Sequence, residues 1–292
     1  MREYYAFREG TRRVRPRLFL PVLLFIVTVF TTMTAGAFYE GVNPLRDPAG
    51  LIKGIPFSAS LLFILGTHEL GHFFASKKHR IHATLPYFIP GPPIPPMIGT
   101  FGAIIKMKAP ITTKGALVDI GAAGPLTGFV AAVLITSWGL SISTLIPTPP
   151  PGSVELGSPL VFKALSALMV GPMPEGKELM LHPVAFAGWI GMFVTSLNLL
   201  PIGQLDGGHI VYALLGPYHR TVSILMVFGL LSMGILTWLG WFVWAVLVSI
   251  IGIWHPPVAD QHIGLDIKRK IIGISTIIVF ILTFTPTPFY IS

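Results

Sequence analysis

A chain of 292 residues with 52% apolar and 11% charged residues, at a mean hydropathy of +0.74, has the composition of an integral membrane protein. The formal charge of +8 comes without a basic stripe interleaved with aromatics, which argues against a nucleic-acid partner. The cations cluster at 2–17, 77–80, 106–114 and 268–270, beside apolar runs, where loops and chain ends face anionic lipid. Zero cysteines exclude a disulfide framework, a thiolate metal site and a cysteine nucleophile.

In chain order, the basic stretch 1–17 is expected on the cytoplasmic side, followed by an apolar block at 18–39 that is too long for a signal peptide and has no small-residue cleavage site. Further apolar blocks fall at 55–76, 116–138, 183–200, 222–238, 240–254 and 271–289, most of them near the ~20 residues that a helix needs to cross a bilayer, although 240–254 is short. The expectation is an all-α polytopic membrane protein of six to seven transmembrane helices. The pair within 222–254 reads either as a tight hairpin through Trp238-Leu239-Gly240 or as one kinked unit. Residues 84–110, "TLPYFIPGPPIPPMIGTFGAIIKMKAP", are apolar but broken by proline. Their tail has strand character, so a short strand-like segment is expected beside the membrane. The cations of 1–17, 77–80, 106–114 and 268–270, with Arg220, fall on one side if the blocks alternate, with 40–54 and 139–182, which carries Lys163 and Lys177 against three glutamates, facing the other.

Inside the second block, "THELGHF" at 67–73 sets Glu69 and two histidines where lipid should be. Charged groups there cost roughly 2.5–3.5 kcal/mol each even on lenient scales. His68 and His72, four residues apart, share one helix face and can offer imidazole nitrogens to one cation, with Glu69 beside them to take a proton from water. The competing reading is a polar cluster that glues helices together. Two ligands do not make a zinc site. The candidate for the third is Asp206 in "NLLPIGQLDGGH", the one carboxylate between Glu178 and Asp260. Two histidines and a carboxylate leave a position open for water, as a catalytic zinc requires. Pro201 ends the preceding helix, and the two glycines after Asp206 permit a sharp turn and a close approach. Asp206 also fits the role of a helix-start cap. His68 precedes Lys77 by nine residues, about 13 Å of helix, so the site lies within the hydrocarbon yet in reach of the basic side. "GAAGPLTG" at 121–128 reads as close helix packing that shapes the site, His209 as a rim residue, and the remaining histidines as ordinary interfacial residues.

"HELGH", "GAAGPLTG" and "NLLPIGQLDGG" in this order resemble the site-2 protease family, the intramembrane zinc metalloproteases of peptidase family M50, over about residues 55–216. "GTFG" at 99–102 is most similar to the EGY-like branch without a PDZ domain. The resemblance implies one Zn2+ per chain held by His68, His72 and Asp206, Glu69 as general base, and a membrane protein substrate cut by regulated intramembrane proteolysis. It further implies that Asn198 holds the substrate or the oxyanion and that Gly99, Thr100, Phe101 and Gly102 pair with an unwound substrate. An asparagine at a proline-broken helix end serves equally well to satisfy backbone groups. Expected domains are the basic segment 1–17, a first helix and loop at 18–54, a catalytic core at 55–216 and C-terminal helices at 217–292. A silent relative and a metal or ion transporter are the alternatives. Regulation through a PDZ or nucleotide-sensing domain is not expected, and the expected location is a prokaryotic cell membrane with the site open to the cytoplasm.

Overall fold

The computed structural model describes residues 18–95, 97–147 and 154–291, so the basic segment 1–17 lies outside the described residues. Nine α-helices and three two-stranded antiparallel pairs make up the described chain. Helix α1 (Phe19–Tyr39) leads through a 3-10 turn (Pro48–Gly54) into α2 (Ile55–Lys78), which a proline opens and Lys77 and Lys78 close. Strands β1 (Tyr87–Pro90) and β2 (Thr100–Ile104) precede α3 (Lys114–Ser141), whose start is capped by the Thr113 hydroxyl accepting from the Ala116 N–H at 3.1 Å. At the far end of α3 lie β3 (Thr144–Pro147), β4 (Val154–Leu156), α4 (Leu160–Met169) and β5 (Lys177–Met180). Helix α5 (Pro183–Asn198) runs back, followed by α6 (Asp206–Leu215), α7 (His219–Leu236), α8 (Gly240–Ile251), α9 (Ile267–Thr283) and β6 (Phe289–Ile291).

The core is the packing of α2, α3 and α5, with α5 buried along nearly its whole length because it is apolar on every face. Phe57, Leu61, Ile64, Trp189, Met192 and Leu200 fill it. Three findings depart from the sequence reading. Among the described residues, four helical segments are long and apolar enough to span, Phe19–Tyr39, Pro48–Lys78, Lys114–Ser141 and Asp206–Leu236, so a count of six to seven is not confirmed. Sixteen residues in α5 and twelve in α8 rise only about 24 and 18 Å, less than the ~30 Å of hydrocarbon. The fold is mainly helical rather than all-α, since β3 pairs with β5 and β4 with β6 in addition to the expected segment near 84–110. Within 222–254 the chain forms two packed helices, a hairpin that turns at 237–239.

The segment near 84–110 is a hairpin, with Tyr87 opposite Ile104 and a bulge at Ile89/Pro90 where proline removes a donor. It is pinned to α1: the Thr31 hydroxyl donates to the Gly99 carbonyl at 2.6 Å, and Gly99 has φ +80°, with the backbone of Thr31 and Thr32 so close that a Cβ has no room.

Candidate metal centre

Helical spacing puts His68 and His72 on one face of α2, and the break at Pro201 lets the chain return so that α6 begins at Asp206 directly opposite. The two Nε2 atoms are 3.1 Å apart, and the Asp206 Oδ2 lies 3.3 Å from that of His68 and 3.2 Å from that of His72. The three ligand atoms fall within 4.8 Å of one another, and both histidines are buried. The His72 Nδ1–H donates to the Ile120 carbonyl of α3 at 2.8 Å, which leaves Nε2 of the neutral ring as a lone pair aimed at Asp206 and His68. Two imidazole nitrogens and a carboxylate oxygen gathered in a dry interior are a donor set that a divalent cation fits. Asp206 is not a cap: Leu205 occupies that position and no side chain caps the helix.

Glu69, also buried, stands outside the trio, close to the backbone of Ile105, one residue beyond β2. This contact brings the strand pair to the site. Asn198, the last residue of α5, places Nδ2 3.4 Å from the His68 Nε2. The remaining expected residues are divided. The Thr100 hydroxyl is used within the hairpin, donating to the Ile89 carbonyl at 2.8 Å and accepting from the Gly102 N–H at 3.0 Å, and Gly99 sits against α1. Phe101 is 66% exposed and free to meet another molecule.

The glycines of "GAAGPLTG" shape the centre, as their spacing suggested, but at closer range. A Cβ on Gly124 would overlap the His72 imidazole, and one on Gly128 would come within 3.0 Å of the His68 Nδ1. Glycine lets α3 lie against the rings with no side chain between. Ile120 was missed because any residue could supply its carbonyl, so nothing in the sequence marks it.

Several of the histidines read as ordinary interfacial residues do more, His79 and His219 among them. The His79 Nε2 meets the Asp119 Oδ2 at 2.8 Å, and the Arg269 guanidinium donates to both Asp119 oxygens at 2.9–3.2 Å and to Asp266 at 2.7 Å, tying the end of α2 and the starts of α3 and α9 together. His219 is buried and faces the Ser223 hydroxyl at 3.3 Å.

The family model of peptidase family M50 matches residues 56–239, which contain the whole trio. The chain belongs to peptidase family M50. Among curated relatives, the probable zinc metalloprotease EGY1, chloroplastic, of Oryza sativa subsp. japonica is 30% identical over 243 residues, covering 74% of this chain and 41% of its own length. The protein of the same name from Arabidopsis thaliana is 34% identical over 205 residues, covering 65% and 33%. The probable zinc metalloprotease EGY2, chloroplastic, of Arabidopsis thaliana is 29% identical over 254 residues, covering 86% and 44%. The chain thus spans less than half the length of these relatives. No solved structure matches it. The relatives are chloroplastic plant proteins, so the expectation of a prokaryotic cell membrane is not borne out.

Proposed function

We propose that this protein is an intramembrane zinc endopeptidase that hydrolyses peptide bonds of transmembrane or membrane-associated substrates. The observation that carries the reading is the convergence of His68, His72 and Asp206 from two helices, with the His72 Nδ1–H donated to the Ile120 carbonyl and Glu69 kept off the trio. Those three residues would hold the ion, which when bound supplies Lewis acidity toward water and the scissile carbonyl. Glu69 takes the proton of the attacking water as its oxygen bonds to the carbonyl carbon, and then delivers that proton to the nitrogen, so that the bond from carbon to nitrogen breaks and the amine leaves. The Asn198 amide donates toward the developing oxyanion.

A helical substrate shields its peptide bonds and must unwind first. The edge of β2 accepts the unwound segment as an added strand, a reading supported by the nearness of the Ile105 backbone to Glu69. The catalytic machinery lies in 55–216, and the site is reached from the side on which lysine and arginine accumulate. A transporter needs several stations along a path, and among the described residues a single grouping of three metal-ligating side chains is present.

The test uses a tagged single-span reporter co-reconstituted with the full chain in vesicles. Glu69→Gln should retain zinc by elemental analysis and lose cleavage. A Glu69→Gln protein that cuts as fast as the wild type would remove the proposed base, and a zinc-replete wild type that cuts nothing would favour the silent relative.

A further inference from the structure

The connection between α8 and α9 is not a free loop. The Gly252 carbonyl lies where a Cβ on Gly203 would be, which packs the connection against the turn before Asp206. Trp254 lies under the Arg220 guanidinium, whose carbon is 3.7 Å from the ring centroid. His255 stacks on Tyr212 of α6, with centroids 4.2 Å apart and planes 12° from parallel. Val258 is buried with Leu117, Val118 and Ala213, and the Asp260 N–H donates to the Thr112 carbonyl at 2.9 Å. The segment therefore crosses α6 and fastens to the start of α3.

Its hydrogen bonds have one direction. The Pro256 carbonyl, 2.6 Å from the His255 Nδ1, can only accept, so that nitrogen carries the proton and Nε2 is the lone pair of a neutral ring. Burial agrees, pushing His255 down to about 4. The His209 Nδ1, 2.7 Å from that Nε2, must then donate. His209 and Asp206 are three apart on α6 and share a face, so a rotation of α6 about its axis moves both together. A Cβ on Gly121 would lie 3.2 Å from the His209 Cβ and 3.5 Å from the Asp206 carbonyl oxygen, so α3 backs this face closely.

We propose that the 252–260 connection is a strap that sets the rotation of α6, and that His209 and His255 are positioning residues for Asp206. The strap brings the C-terminal part of the chain into the metal centre without supplying a ligand. The metal half of this inference rests on the reading of Asp206 as a ligand.

The experiment measures two quantities on the full chain in detergent: amide hydrogen exchange of residues 206–215 after metal is stripped, and affinity for added Zn2+. His255→Ala should exchange about tenfold faster in 206–215 and bind zinc about 10–100-fold more weakly, the range for losing support of a ligand. His209→Asn keeps a donor near the Nδ1 position and should stay close to wild type, whereas His209→Gln carries its amide farther out and should behave like His255→Ala. Unchanged exchange and affinity in His255→Ala would overturn the strap. A His209→Gln protein like wild type beside a weakened His209→Asn would overturn the donor assignment and give the work to Nε2. Should the wild type take up no zinc, the metalloprotease reading falls, and exchange in the metal-stripped chain still decides the strap.

Discussion

The two ends of the helix bundle solve the same problem in different ways. At the end where α2 finishes and α3, α6 and α9 begin, polar side chains are paired by partners distant in the chain: His72 with Ile120, Asp206 with His68, Asp119 with Arg269, His209 with His255. At the other end closure is by aromatic packing and short backbone pairings. The Trp189 indole N–H donates to the Gly157 carbonyl and that of Trp241 to the Pro286 carbonyl, both at 2.7 Å, while β4 pairs with β6. Trp238, Trp241, Phe193 and Phe289 gather around them in edge-to-face contacts. The difference teaches where chemistry can be housed. A site needs groups held at set angles in a dry interior, which takes several elements converging, whereas a seal needs apolar area and satisfied backbone.

The largest effect expected at the polar end is that of Asp206→Ala, which should weaken zinc binding by more than the ~10–100-fold typical of losing outer support. Equilibrium dialysis against buffered zinc measures it, and unchanged affinity would mean that the trio is not a metal site. Next comes Gly124→Ala. Alanine favours a helix by about 1 kcal/mol over glycine, yet here the methyl would meet the His72 ring. The variant should lose about 1–3 kcal/mol of stability by overpacking and lose zinc with it. Gly229→Ala in α7, where nothing lies within 4 Å, is the control that should gain stability instead. Arg269→Met leaves Asp119 with fewer donors and should cost about 1–3 kcal/mol in thermal unfolding, while zinc stoichiometry stays intact. The smallest effect on the centre belongs to the far end: Trp241→Phe trades the buried indole for a smaller ring and removes the donor to Pro286, for about 1–3 kcal/mol of stability, with metal content unmoved. A zinc loss in Trp241→Phe equal to that in Gly124→Ala would break the distinction between the ends.

Much of the centre was legible because its residues are costly in lipid and therefore conspicuous. "HELGH" and the isolated Asp206 stand out against apolar surroundings, and helix spacing alone puts His68 and His72 on one face. The strand tail of 84–110 was legible from its proline breaks and β-favouring residues. The parts that were not legible are those in which chemically ordinary groups act by position. The Ile120 carbonyl belongs to any residue, Gly124 looks like one more packing glycine, and His255 reads as a loop histidine. The extents of α5 and α8 follow their apolar blocks at 183–200 and 240–254 closely, and what escaped is that helices this short do not span.

By itself the sequence determined a mainly helical membrane protein, the helix that carries two histidines and a glutamate, and the identity of the third candidate ligand. Those follow from local periodicity and from the energetic cost of ionisable groups away from water. The tertiary structure alone decided that Asp206 meets both imidazoles, that α3 supplies the carbonyl orienting His72 and the glycine space for its ring, and that the strap carrying His255 crosses α6. These are contacts between residues tens to more than a hundred positions apart, and their existence depends on how helices pack against one another, which no local pattern records.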